Sequence, residues 1–372
     1  MPEQTEQATQ TEQATQAEQA APAEQAAPQQ TFLERKDIRI SFQRYAIDAL
    51  GAMAQGLFAS LLIGTILSTL GELTGFAPLV DIGGFAKSVA GPAMAIAIGN
   101  ALAAPPLVLY SLAAVGFAAN SAGGAGGPLA VLVVAIIAAE LGKAVSKETR
   151  VDILVTPGVT VGLGCALALA IGPAIGAAAS SLGGLIMWAT DLQPLLMGIV
   201  VSVVVGAALT LPISSAAICA ALGLTGLAGG AALAGCCAQM VGYAAASFAD
   251  NGWSGVVSQG LGTSMLQVPN ILKKPVTWVP ALVASAVTGP VATVVFGLQQ
   301  NGAAIASGMG TCGMVGPIGV YSGWVADGIV PGPMEWLALA LVSIVIPAVV
   351  AWLVAQAMRR SGVLQPGDMK ID

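Results

Sequence analysis

"QGLGTSMLQVPNILKKPVTWVP", Gln259 to Pro280, interrupts a chain that is otherwise strongly apolar. A Gly-Thr-Ser turn, Gln267, Asn270 and two lysines stand between two hydrophobic segments. Irregular backbone at membrane depth is tolerated only where it is buried in protein or lines a cavity. If its surroundings lie in a bilayer, this stretch reads as a re-entrant hairpin.

Composition places them there. Of 372 residues, 56% are hydrophobic and 9% charged, and the mean hydropathy is +0.83. A soluble domain carries roughly 25% charged residues, so a chain this long has too few to cover a surface facing water. The 47 glycines and 21 prolines would break soluble helices, yet both are frequent in membrane helices. The chain reads as an all-α polytopic membrane protein.

The net charge of −6 is unevenly spread. Five of the 19 acidic residues lie in 1–30, leaving 14 against 13 basic residues in the remainder, a net of −1. No basic field exists to attract nucleic acid. Histidine is absent, which removes imidazole metal ligands, Ser-His and Cys-His pairs, and a phosphohistidine on this chain. The five cysteines lie in apolar stretches without zinc-type spacing and read as packing residues. Neither a metal nor another cofactor is expected.

Residues 1–30 carry repeats of TEQATQ and AEQAAP with no aromatic or branched aliphatic side chain, and read as a disordered low-complexity cytoplasmic tail. Residues 31–45 mix Arg35, Lys36, Arg39 and Arg44 with spaced Phe, Ile and Leu, the pattern of an amphipathic interfacial helix. The other basic clusters are Lys143, Lys147 and Arg150, then Lys273 and Lys274, then Arg359 and Arg360, and the positive-inside rule makes all of them cytoplasmic. The membrane domain is then 46–358, with room for about ten spans, and 359–372 is a cytoplasmic C-terminal tail. Clear span candidates are 46–70, 88–119, 128–145, 152–178, 194–221, 227–248, 278–298 and 334–358, of which 88–119 is broken by Pro105-Pro106 and reads as one segment or two. Between them, 250–272 must bring the chain inward, and the Gly-rich 302–323 stays on the outer side or re-enters.

Polar residues inside a bilayer are costly and are functional candidates by default. Here they are mostly amides and hydroxyls: Asn100 before Pro105-Pro106, Asn120, Ser214 and Ser215 after Pro212, Gln239, Gln267, Asn270, and Gln299 to Asn301. Such groups offer the donors and acceptors that a sugar or polyol needs. Carboxylates, by contrast, fall near predicted span ends, and Glu140 stands i,i+3 from Lys143. The Gly308–Gly313 match to G-x-G-x-x-G lacks the soluble βαβ setting of a dinucleotide site and reads as a close-packed or re-entrant glycine turn.

Four stretches, GPAMAIAIGNALAAPPL (91–107), VTPGVTVGLGCALALAIGPAIG (155–176), LTLPISSAAICAALGL (209–224) and GLGTSMLQVPNILKKPVTWVPALVASAVTGPVATVVFG (260–297), resemble the membrane component, EIIC, of the bacterial sugar phosphotransferase system. The likeness is to its fructose-like branch and a divergent group beside it, and it covers about 46–358. It implies an EIIC-like fold of about ten spans, a homodimer in the bacterial cell membrane with both termini cytoplasmic, and an elevator-like transport domain containing the hairpin. It also implies an EIIB-type phosphocarrier in trans that phosphorylates the bound sugar. Sugar-phosphorylating members carry a glutamate in this hairpin and a histidine. This chain has neither, and no acidic residue occurs between Asp250 and Asp327.

The resulting expectation is a permease for a small neutral sugar or polyol. Its site would be lined by Asn100, Ser214, Ser215, Gln239, Gln267 and Asn270, with Lys273 and Lys274 facing phosphate or the EIIB partner. Phosphorylation would depend on separate EIIA and EIIB proteins. The missing glutamate and histidine leave two alternatives open: an EIIC-derived membrane sensor without phosphotransfer, and a non-phosphorylating secondary carrier.

Overall fold

The computed structural model describes residues 31–371, and the chain divides at Ile38. The expected tail over 1–30 lies outside the described residues. Of the helix expected over 31–45, only Phe32–Arg35 forms; Thr31 and Glu34 cap it reciprocally. Asp37 follows with φ 50°, a left-handed conformation that no α-helix continues through. The first long helix begins at Gln43.

From there the chain is helical, and among the described residues no strand is present beyond the isolated bridge between Gly226 and Gln300. The helices are α1 (Gln43–Thr74), α2 (Ala77–Ser88), α3 (Ala90–Ala101), α4 (Pro106–Gly123), α5 (Gly127–Val145), α6 (Asp152–Thr190), α7 (Pro194–Thr210) and α8 (Ser215–Ala221). They continue as α9 (Gly226–Ala246), α10 (Phe248–Val257), α11 (Val268–Lys273), α12 (Pro275–Val295), α13 (Ala304–Ser307), α14 (Val315–Ala326) and α15 (Pro333–Arg360). By length and composition six stretches can cross a bilayer, with the folded-back pair α4–α5 counted as one, or seven when the bent pair α2–α3 is taken as one span. About ten were expected. The difference arises where Pro and Gly stop helices short. The expected span 194–221 ends as α7 at Thr210, just before Pro212, and the seven-residue α8 follows. The stretch 88–119 breaks between α3 and α4, with Ala103 at φ 54° ahead of Pro105-Pro106.

Small residues let the helices approach closely. At Gly235 of α9, an added Cβ would lie 1.9 Å from the Ser202 carbonyl oxygen of α7. Helices α4 and α5 fold back on each other through Gly124 (φ 49°), and α6 packs along both. Gly126 meets Ile175 and Gly176 meets Gly123, so these glycines pack helices. All five cysteines are free.

Within the body, Arg44, Lys143, Lys273, Lys274 and Arg359 gather at one end. Arg44 and Lys143 both donate to the Leu102 carbonyl, at 2.7 and 2.9 Å, and Lys143 pairs with Glu140 at 3.0 Å. Arg359 pairs with Asp250 at 2.9 Å. Asp250 is one of the carboxylates near predicted span ends, where solvation is expected, but its side chain is 4% exposed and held by that guanidinium. Gln300 and the Asn301–Asp327 hydrogen bond mark the opposite end.

Candidate functional site

Two hairpins enter the body from opposite ends. The first leaves the basic end as α10, turns at Gly260–Ser264 and returns as α11 to Lys274. The second leaves the opposite end at Gln300, descends through α13, turns at Gly308–Met314 and climbs back as α14 to Asp327. The second turn relies on glycine where the backbone demands it: Gly310 and Gly313 have φ of 54° and 51°, which L side chains adopt only under strain. The G-x-G-x-x-G stretch is thus a hairpin tip.

The tips meet in the interior. Thr311 Oγ1 donates to the Gly260 carbonyl, and Ser215 Oγ donates to the Gly308 carbonyl at 2.7 Å. Thr210 Oγ1 lies 2.8 Å from Ser264 Oγ and donates to Gln239 Oε1 at 2.9 Å. Because a hydroxyl has one proton, Ser264 is the donor in that contact. Three interruptions of the helices, at 211–214, 260–264 and 308–314, therefore converge on one point.

A cavity of about 480 Å³ opens beside this point, lined among others by Thr65, Ser68, Glu72, Lys87, Ser214 and Ser322. A second, of about 330 Å³, lies at the basic end between α1, the end of α3 and α11, and includes Gln43, Gln55, Asn100, Asn270, Lys273 and Lys370. Both fall in the size range of small-molecule sites, about 300–1,000 Å³.

The family model for the phosphotransferase system EIIC component matches residues 47–371, the whole helical body. The chain belongs to this family. No curated protein and no solved structure matches it. The EIIC chain is thus a multi-pass membrane component of the sugar phosphotransferase system, as the resemblance implied.

The EIIC body separates the six expected solute ligands. Asn100 and Asn270 share the basic-end cavity with Lys273, and Ser214 lines the cavity at the tips. Ser215 is spent on Gly308. Gln239 is fully buried: its Oε1 accepts from Thr210 and Trp278, and its Nε2 donates to Ser285. Gln267 is buried too, and lines neither cavity. Its Nε2 donates to Gln259 Oε1 and to the Met369 carbonyl, both at 2.8 Å, while its Oε1 accepts from Asn270 at 2.9 Å. Both amides fasten protein to protein.

Met369 belongs to a strap within the stretch that reads in sequence as a cytoplasmic C-terminal tail. Residues 362–371 turn back from α15 along the base of the first hairpin. Asn270 donates to the Lys370 carbonyl, Asn251 to that of Met369, and Ile371 N–H to Asn251 Oδ1. Leu364 and Met369 are buried. Lys274, expected to face phosphate, pairs with Asp368 at 2.5 Å. Burial pushes the Asp368 carboxyl up, but the Lys274 ammonium and the Gln365 N–H outweigh it and hold it below the ordinary carboxylate value.

Two residues of the tip cavity escaped the sequence reading. Glu72 is one of the carboxylates near predicted span ends, and Lys87 lies outside every basic cluster. Its signal is the one lysine of the apolar stretch 77–101, whose only other charge is the exposed Asp81, since ionisable residues within a membrane segment are functional flags.

Proposed function

We propose that this EIIC chain is the permease subunit for a small sugar or polyol, carrying it through the bilayer to a separate EIIB phosphocarrier at the basic, cytoplasmic end. The observation that carries this reading is the convergence of two oppositely entering hairpins beside a solute-sized cavity. Transporters build their sites where interrupted helices meet near the membrane midplane. The cavity's hydroxyls, Thr65, Ser68, Ser214 and Ser322, match a polyhydroxyl solute in hydrogen-bonding character. On this reading Ser214 belongs to the solute site, whereas Asn100, Asn270 and Lys273 form a vestibule on the EIIB side. Kinship with fructose-type permeases and assembly as a homodimer are parts of the same proposal.

The test is uptake into vesicles with and without phosphorylated EIIB. Accumulation of phosphorylated solute only with the phosphocarrier supports the permease reading. Flux of unmodified solute without it favours a secondary carrier. Binding without flux favours a sensor, a role consistent with the amides of Gln267 and Asn270 being occupied by the strap.

A further inference from the structure

Lys87 is level with the hairpin tips. Its backbone N and its Cγ each lie 2.9 Å from where a Cβ on Gly64 would stand, and Ile66, two residues along α1, packs against Gly313 of the second tip. It sits just before the 48° bend between α2 and α3, so its backbone is part of a broken span. Its side chain lines the tip cavity together with Ser214, Thr65 and Ser68. Among the described residues no carboxylate pairs with it. The one acidic group in the same cavity, Glu72, lies eight residues along α1 from Gly64, about 12 Å by helical rise, and is exposed.

An ammonium at that depth is costly to hold in an apolar body without a partner, and such charges ordinarily pair or mark a substrate path. The hydroxyls that share the cavity with it carry no charge and cannot neutralise it. An anion entering the cavity can. We infer that the solute of the tip cavity is a sugar bearing an anionic group, whose charge docks on Lys87 while its hydroxyls meet Thr65, Ser68 and Ser214. Glu72 at the far side repels that same group and so sets the solute's polarity, acid end toward Lys87. The inference rests on the permease reading and replaces the neutral solute that amides and hydroxyls alone had implied. A charge-assisted hydrogen bond is roughly twice as strong as a neutral one, so the acid group dominates the selection.

The experiment uses the full chain in detergent or nanodiscs and measures equilibrium binding of gluconate, glucuronate, glucose 6-phosphate, glucose and glucitol. At least one anionic probe should bind tenfold or more tighter than glucose and glucitol, with the carboxylates and the phosphate distinguishing the kind of anion. Lys87→Met keeps the stem against Gly64 and removes the charge. It should erase the preference by weakening the anionic probe at least tenfold, with neutral probes changed less than twofold, while Lys87→Arg retains the preference. Equal affinity for neutral and anionic probes in the unmodified protein overturns the inference without any variant. So does an unchanged anion affinity in folded Lys87→Met. If neutral sugars bind and acids do not, the inference falls and the permease reading stands. If no probe binds, the inference also falls, and vesicle uptake still decides the permease reading separately.

Discussion

Gln267 donates an amide hydrogen to the carbonyl of Met369 at 2.8 Å, joining the first hairpin to a segment 102 residues further along the chain. Asn270 repeats the device one turn on, reaching the Lys370 carbonyl. The hairpin's polar side chains thus bind a backbone rather than a solute. Replacing Gln267 by Ala strands Gln259 Oε1 in a buried setting and leaves the Met369 carbonyl with Asn251 alone, and one unsatisfied buried group costs about 1–3 kcal/mol. The expected outcome is a lower unfolding midpoint in detergent and faster proteolysis of residues 362–371, with solute affinity within twofold. A tenfold loss of affinity with unchanged midpoint would return Gln267 to the solute site.

The Lys274–Asp368 pair gives the strap a pH dependence of definite sign. The Asp368 carboxyl titrates below its ordinary value when the strap is docked, so docking is favoured wherever that carboxyl is ionised. The contribution is complete above the ordinary carboxylate pKa of about 3.9 and is lost as pH falls through the lowered one. A spin label at Val363→Cys should therefore stay immobile from neutral pH down to the ordinary carboxylate range and loosen only in stronger acid. Adding Asp368→Asn should leave it looser at neutral pH and remove the acid step. A step near neutrality would place control in some other group.

These two residues show what was legible in the sequence. The hairpin could be read from Gln259–Pro280 because amides and lysines there contrast with apolar flanks, and polar backbone at depth has few solutions. The second hairpin was visible only as an alternative, since its glycine-rich 302–323 suits an outer loop as well. The partner of Gln267 was not legible at all. Which acceptor a buried amide finds depends on long-range packing, and Met369 lies in a segment that reads as a cytoplasmic C-terminal tail. The same limit explains Gln239, whose partners Thr210, Ser285 and Trp278 come from two other helices. Lys87 was legible as a charge but not as a cavity residue, because nothing in local sequence says that α1 and α2 place it beside Ser214.

Gly235 of α9 is among the tightest contacts of that helix, with the Ser202 carbonyl occupying the space of a side chain. Gly235→Ala must push α7 away, and with it the Ser202 to Ser285 hydrogen bond of 2.7 Å that ties α7 to α12. Overpacking of this kind costs about 1–3 kcal/mol, so the unfolding midpoint in detergent should fall clearly. Gly184, with open space at its Cβ position, supplies the control: Gly184→Ala should leave the midpoint unchanged or raise it slightly, since Ala favours the helix. Equal effects at the two sites would show that helix propensity, rather than the contact, sets the outcome.

Thr311 holds the two hairpin tips together through its hydroxyl on the Gly260 carbonyl. Thr311→Val keeps the shape of the side chain and removes the donor, leaving that carbonyl without this partner. The loss should cost about 1 kcal/mol of stability, small enough for the protein to fold. Its effect should instead be on access to the tips. Cys312, the next residue, is 3% exposed and free, and thus reports whether the tips part. In the unmodified protein a membrane-permeant maleimide should label Cys312 slowly, and Thr311→Val should raise that rate several-fold, as read by peptide mass spectrometry. Cys236 and Cys237, fully buried in α9, should remain unlabelled in both. Faster labelling at all three would mean general loosening, while no change at Cys312 would mean that the tips are held by packing of Gly308 and Gly310 against Ser215 and Cys236 and not by the threonine.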